Sequence, residues 1–248
     1  MFRGQACSSW SLTTSFERVV KRFDVPFDEN LRRIEKDFLT KFRRNIHLHL
    51  ANPPPENDDL DSLALMQHHG APTRLLDWTY SFPVAAYFAI ESACPKHGCA
   101  IWAVHYYLCN EWAGKMLKKR GLDTTELKDR YAVQRPELFN KFFRRTDEIP
   151  LVYQVTPFRL SQRLIIQHGT FLWPGDLSKP FETNLLAFPD ARSKSVVRRM
   201  VIPGTATVVK NVIESLSRMN INHASLFPGL DGFARSFATE LPFEWRRR

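Results

Sequence analysis

Cysteine is too scarce and too scattered to organise this chain. It occurs four times, at positions 7, 94, 99 and 109, without a Cys-x-x-Cys pair or a His/Cys pair at zinc-finger spacing. That excludes a disulfide framework and a structural metal as organising devices and makes reduced thiols the expectation. Long apolar runs are missing too: none approaches the roughly eighteen residues a spanning helix needs, and the first residues carry neither the basic segment nor the apolar run of a signal peptide. The expectation is a cytoplasmic protein with no membrane partner. No repeat of solenoid length and no clean linker is visible, so the chain reads as one domain over 1–248, with helical elaborations around 15–50 and 110–148.

What is present suffices for a core. Of 248 residues, 44% are hydrophobic and 12% aromatic, which argues against disorder. Thirty-five Lys and Arg against 26 Asp and Glu leave a formal charge of +9. Such a balance favours an anionic partner such as nucleic acid, a dinucleotide or an acidic protein, although a basic surface can equally serve solubility alone.

The patterning alternates helices and strands. Phe16, Val19, Val20 and Phe23, then Leu31, Ile34, Phe38 and Phe42, recur at helical spacing. The prolines at 53–55 cannot continue a helix, and the next one is expected from about Asp59 to Gln67. A further helix should start with Ser81 as its cap and Pro83 in its first turn. Strands are expected at Cys99–Leu108, through much of 151–173 including Leu164-Ile165-Ile166, and at Val197–Ile202, with a helix over Thr207–Met219. The charged stretch from Lys115 to Arg145 reads as a helical excursion with a solvated face.

The densest polar cluster is Gln67-His68-His69-Gly70-Ala71-Pro72-Thr73-Arg74-Leu75-Leu76-Asp77-Trp78. Two imidazoles, an arginine, a carboxylate and an indole between apolar helices suit ligand binding. They also suit a buried Arg74–Asp77 ion pair, a histidine satisfying a carbonyl, and a core Trp78. Phe2-Arg3-Gly4-Gln5 offers a planar guanidinium fork beside a glycine that lets a ligand approach the main chain. Asp231 stands between Gly229 and Gly232 ahead of a helical segment, where it suits an N-cap. His168, in Gln167-His168-Gly169, suits a structural role as well as a functional one.

Together these segments resemble the FRG domain, named for its Phe-Arg-Gly motif. The resemblance adds Trp10 with Leu12, Asp59-Leu60, Gln167 with Gly169 and Phe171, and Leu226-Phe227-Pro228-Gly229-Leu230-Asp231-Gly232. Gly229 departs from it, standing where many relatives carry an acid. Phe-Arg-Gly in turn looks like the first-strand motif of arginine-type ADP-ribosyltransferases. That likeness implies an α/β (α+β) fold, a single domain with a central mixed sheet and several flanking helices. It also implies an NAD-dependent transferase that splits the nicotinamide ribosyl bond through an oxocarbenium-like transition state. In this reading Arg3 holds phosphate or ribose, Gly4 meets the carboxamide, Trp78 or Tyr80 stacks, and Asp231 supplies the carboxylate, with Asp77 as its rival. Aspartate in place of the usual glutamate shortens the reach by one methylene. Gln5, His68, His69, Gly70, Thr73 and Arg74 line the same dinucleotide cleft. The implied partners are NAD, a nucleic-acid or protein acceptor, and an antitoxin or regulatory protein, as suits a toxin or antiphage effector. Two alternatives stand beside it: a non-enzymatic nucleic-acid or ligand-binding module, and a metal-independent nuclease with His68 or His69 as base and Arg74 stabilising the phosphorane.

Overall fold

A computed structural model describes residues 1–144, 149–189 and 196–244, with side chains to residue 239. The part of the helical elaboration that falls on residues 145–148 lies outside the described residues. Strand β1 (Phe2–Gln5) is followed by α1 (Ser15–Arg22), α2 (Asn30–Ile46) and α3 (Asp59–His68). Then come β2 (Leu76–Thr79), α4 (Phe82–Ile90), β3 (Cys99–Val104) and α5 (Tyr106–Lys119). Two 3₁₀ turns, Thr125–Lys128 and Ala132–Gln134, lead into α6 (Pro136–Phe143), β4 (Val152–Val155), α7 (Gln162–Ile166) and β5 (Gly169–Pro174). The described chain closes with α8 (Phe181–Leu186), β6 (Val197–Ile202), α9 (Ala206–Arg218), α10 (His223–Leu226) and α11 (Leu230–Glu244).

Local chemistry sets several of these boundaries. The Thr14 hydroxyl accepts the Glu17 N–H and opens α1; the Asp58 carboxylate accepts the Asp61 N–H and opens α3. Ser81 caps α4, with proline in its first turn, as the sequence pattern anticipates. Two expectations are corrected. Leu164-Ile165-Ile166 lies in helix α7, because the Ser161 hydroxyl accepts the Leu164 N–H at 3.2 Å and starts a turn; a short aliphatic run carries no period to reveal this. The strand from Cys99 stops at Val104, and Tyr106 already begins α5. The stretch after Lys115 is also less solvated than its charge suggests, since α6 buries Leu138, Phe139, Phe142 and Phe143 in the core with Tyr153 and Trp173.

The six strands form one sheet in the order β4-β5-β2-β1-β3-β6. Every described pairing is antiparallel, so the sheet is uniform where the sequence reading had it mixed. The α+β class holds, with helices covering the sheet. Helix α4 lies across β1, and α9 and α10 join it in one apolar cluster; α5 and α8 cover other parts. No helix among the described residues is long and apolar enough to cross a membrane.

The centre of the sheet is not continuous. Strand β1 pairs with β3 over four residues, from Phe2–Ala103 to Gln5–Ala100, but with β2 at the single pair Phe2–Thr79. Continuing that antiparallel register would set Gly4 opposite Asp77. Instead the strands diverge, and each β1 residue past Phe2 faces an opening on its β2 side.

Candidate functional site

Backbone alternation decides what faces this opening. The Met1 carbonyl accepts from the Val104 N–H at 2.9 Å, so Met1, Arg3 and Gln5 turn their main-chain groups to β3, and Gly4 turns its own toward β2. Across the gap the Tyr80 N–H bonds to the His168 carbonyl, on the β5 side, which leaves Asp77 turned toward β1. The Arg3 guanidinium spans the gap. Its Nη1 donates to the Asp77 carbonyl at 2.6 Å, taking the acceptor a ladder would have used, and lies 3.9 Å from the Asp77 carboxylate. Burial lowers the Arg3 pKa, Asp77 opposes that shift, and nearby Arg18 adds to it.

The Asp77 side chain is 60% exposed yet held. The Thr73 hydroxyl donates to Gln67 Oε1 at 2.6 Å, and this orients the amide so that Gln67 Nε2 donates to Asp77 Oδ2 at 2.9 Å. Thr73 itself is fastened to α1, its N–H donating to the Ser15 hydroxyl at 3.0 Å. The chain Ser15–Thr73–Gln67–Asp77 therefore fixes one carboxylate beside one guanidinium.

The divided strands open into a cavity of about 920 Å³ lined by β1, the loop after it, α1, β2, α4 and α7. Its ionisable lining is four cations, Arg3, Arg18, Lys21 and Arg163, and one acid, Asp77. Lys21 is paired with Glu17 at 2.7 Å, Arg18 donates to the Thr13 carbonyl, and Arg163 lies over the Phe227 ring at 4.7 Å. A second cavity of about 310 Å³ adjoins it, and both are lined by Asp77, Arg163 and Gln167.

Of the site residues named from the sequence, the cleft gathers Arg3, Gly4, Gln5, Asp77 and Trp78, and the smaller cavity takes His68. Burial, then His69 and Arg163, lower the His68 pKa, which favours the neutral imidazole at neutral pH. His69 packs edge-on against His68 but lines neither cavity, and Gly70 ends α3 with φ +81°. Gln5 is engaged structurally, accepting from Trp102 Nε1 at 2.6 Å and donating to the Ser11 carbonyl. Gly4 has a packing role beside its place at the opening: a Cβ there would lie 2.1 Å from the Ala85 carbonyl oxygen, so its smallness admits helix α4.

Besides His69 and Gly70, which line neither cavity, four more residues stand elsewhere than the sequence reading placed them. Arg74 is fully buried and pairs not with Asp77 but with Glu35, through two bonds of 2.6 Å, with its guanidinium 4.3 Å from the Trp173 ring. Thr73 acts through Gln67 and lines neither cavity. Asp231 is exposed in the first turn of α11, past the N-cap position, and also lines neither. Tyr80 packs against Tyr106 outside both. Trp78 does line the cleft, but at 3% exposure it is a wall of the core and not a free face. The indole that offers one is Trp10, 57% exposed at the cleft.

Sequence reasoning missed Trp10, Arg18, Lys21, Arg163 and Gln167 as lining residues and Gln67 as the positioning residue. The motif contains Gln67, and its spacing to Asp77 gave no sign of the contact, because a helix end and a strand meet only through the intervening turn.

No curated protein and no solved structure matches the chain. The family model of the FRG domain matches residues 1–98, a stretch holding β1, the divided centre of the sheet and the Gln67–Trp78 segment. Over those residues the chain is similar to the FRG domain.

Proposed function

We propose that the chain is an ADP-ribosyltransferase-like enzyme whose cleft binds NAD, with Asp77 rather than Asp231 as the carboxylate. One observation carries the reading. The break in the β1–β2 ladder brings Arg3, the main-chain groups of Gly4 and an exposed, held carboxylate to one opening. Transfer from NAD needs these parts together: a cation for the phosphates, a main-chain donor and acceptor for the carboxamide, and a fixed negative charge beside the ribose as it becomes cationic. Arg3, Arg18, Lys21 and Arg163 supply positive charge, Gly4 the main-chain pair, and Trp10 an exposed aromatic face. The volume, about 920 Å³, falls within the range for ligand sites. In the reaction the bond from ribose C1′ to nicotinamide breaks, nicotinamide leaves with the electron pair, and the acceptor nucleophile bonds to C1′ and loses its proton to solvent. The cationic surroundings would suit an acidic protein or nucleic-acid acceptor.

Incubation with nicotinamide-labelled NAD tests this. Nicotinamide release is expected from the wild type and from Asp231→Ala, with a loss on the order of a hundredfold or more in Asp77→Asn, the magnitude typical of removing one electrostatic stabiliser. Arg3→Lys should weaken NAD binding, because an ammonium cannot reproduce the guanidinium fork. Release that survives Asp77→Asn but vanishes in Asp231→Ala would return the role to Asp231. Absence of release from the wild type, with NAD still bound, would favour a binding module, a reading to which four cations around one acid also lend weight.

A further inference from the structure

One end of the sheet carries a group of rings that neither cavity uses. Strands β2 and β3 flank β1 and both run antiparallel to it, so both finish at the same edge, beyond the Phe2–Thr79 rung. Tyr80 follows β2 there, and Tyr106 and Tyr107 open α5 after β3. Backbone bonds hold both corners: the Tyr80 N–H donates to the His168 carbonyl at 3.0 Å, and the His105 N–H to the Val196 carbonyl at 2.8 Å. Tyr106 stacks on Tyr107 with ring centres 4.3 Å apart and meets Tyr80 edge-on at 5.7 Å. A fourth ring comes from the segment between the two 3₁₀ turns, where the Arg130 guanidinium lies 4.4 Å over Tyr131 and donates to its hydroxyl. Burial, with Tyr107 and Tyr80 adding to it, raises the Tyr106 pKa, and Arg130 opposes the shift, which sets that cation beside the same phenols.

Three of these rings, Tyr80, Tyr107 and Tyr131, are exposed, Tyr107 at 66%. Arg130 has no acidic partner among the described residues, since the adjacent Asp129 is held by Arg135 at 3.1 Å. An apolar protein surface would cover the rings but leave the guanidinium desolvated and unpaired. A single strand of nucleic acid satisfies both, its bases stacking on the phenols and a phosphate meeting the guanidinium. We propose that this edge is a stacking platform for single-stranded nucleic acid, in which Tyr80 and Tyr107 each offer a ring to a base and Arg130 takes the backbone phosphate. The formal charge of +9 favours the same partner. The rings line neither cavity, so the platform stands whether or not the cleft binds NAD.

Fluorescence anisotropy tests the proposal, with the full chain titrated into a labelled single strand of about 12 nucleotides of mixed sequence, within the span such sites cover, and into its duplex. Wild type is expected to bind the single strand more tightly than the duplex, whose base faces are already stacked on one another. Tyr107→Ala should weaken single-strand binding roughly tenfold, as for the loss of one base–aromatic stack, and Tyr80→Ala likewise. Tyr107→Phe, which keeps the ring, should bind as the wild type does. Arg130→Gln should make affinity less sensitive to salt, by about 0.7 in the log–log slope for one phosphate contact on a single strand. Equal affinity for strand and duplex, or undiminished affinity in Tyr107→Ala, would show that charge elsewhere on the chain does the binding and overturn the platform. Absence of binding by the wild type would overturn it as well and leave the rings to a protein contact.

Discussion

Exchange of Arg74 for alanine is expected to destabilise the fold by about 3–5 kcal/mol, the range for breaking a buried ion pair from one side. The guanidinium meets both carboxylate oxygens of Glu35. Arg144 joins Glu35 from α6, and its Nε bonds to Asp59 at 2.6 Å, while Arg43 bonds the other Asp59 oxygen at 2.8 Å. This network ties α2, α3 and the end of α6 to the segment entering β2. With Arg74 gone, Glu35 stays buried with Arg144 as its remaining partner. Urea unfolding measures the loss, and a shift of less than about 1 kcal/mol would show that the pair does not support the fold. Replacing both partners by Leu and Met should recover much of it, because packed apolar groups need no compensating charge.

The same pair predicts an acid limb. Burial would push Glu35 up, but Arg74 and Arg144 outweigh it and hold the carboxyl at about 2, below its ordinary 4.5. A depressed folded value means the contribution is fully present above 4.5 and is lost as pH falls toward 2. Its size is on the order of 3 kcal/mol by linkage. Stability followed from pH 6 downward should fall through that window in the wild type, and the slope should flatten in Glu35→Gln.

Gly4→Ala is the second large effect. The added methyl would sit 2.1 Å from the Ala85 carbonyl oxygen and 2.5 Å from the Ala89 nitrogen, both backbone atoms of a buried helix. No rotamer relieves such a clash, so α4 must move away from β1, at a cost at or beyond the roughly 1–3 kcal/mol of ordinary overpacking. Gly114→Ala is the matched control, since a methyl there meets nothing within 4 Å. A thermal melt separates them: a large drop for Gly4→Ala against little change, or a small gain from helix propensity, at position 114. Equal melting of the two variants would mean that α4 does not press on β1 as described.

These two effects also show how far the sequence could be read. The helical period announced α1, α2 and α9, the acidic segment after the prolines announced α3, and Ser81 with Pro83 announced α4, because capping and periodicity are local. Arg74 was legible as one half of a buried ion pair, but its partner was not, since Glu35 is 39 positions away on a helix with no motif of its own. Asp231 led as the carboxylate in the sequence with Asp77 as its rival; the strand register, which pairs β2 with β1 at one point, brings Asp77 to the opening. The cations of α1 and α7 lay hidden in ordinary amphipathic patterns, because which face of a helix borders a cavity is decided by packing.

The single Phe2–Thr79 contact has a mechanical meaning as well. It divides the six strands into two triplets, β4-β5-β2 and β1-β3-β6, with Arg3 as a side-chain stitch across the seam. A guest that bonds to Gly4 on one bank and to Asp77 on the other would complete the missing rungs itself. Its arrival should register as slowed amide exchange along the β1 margin, with the two triplets welded into one cooperative unit.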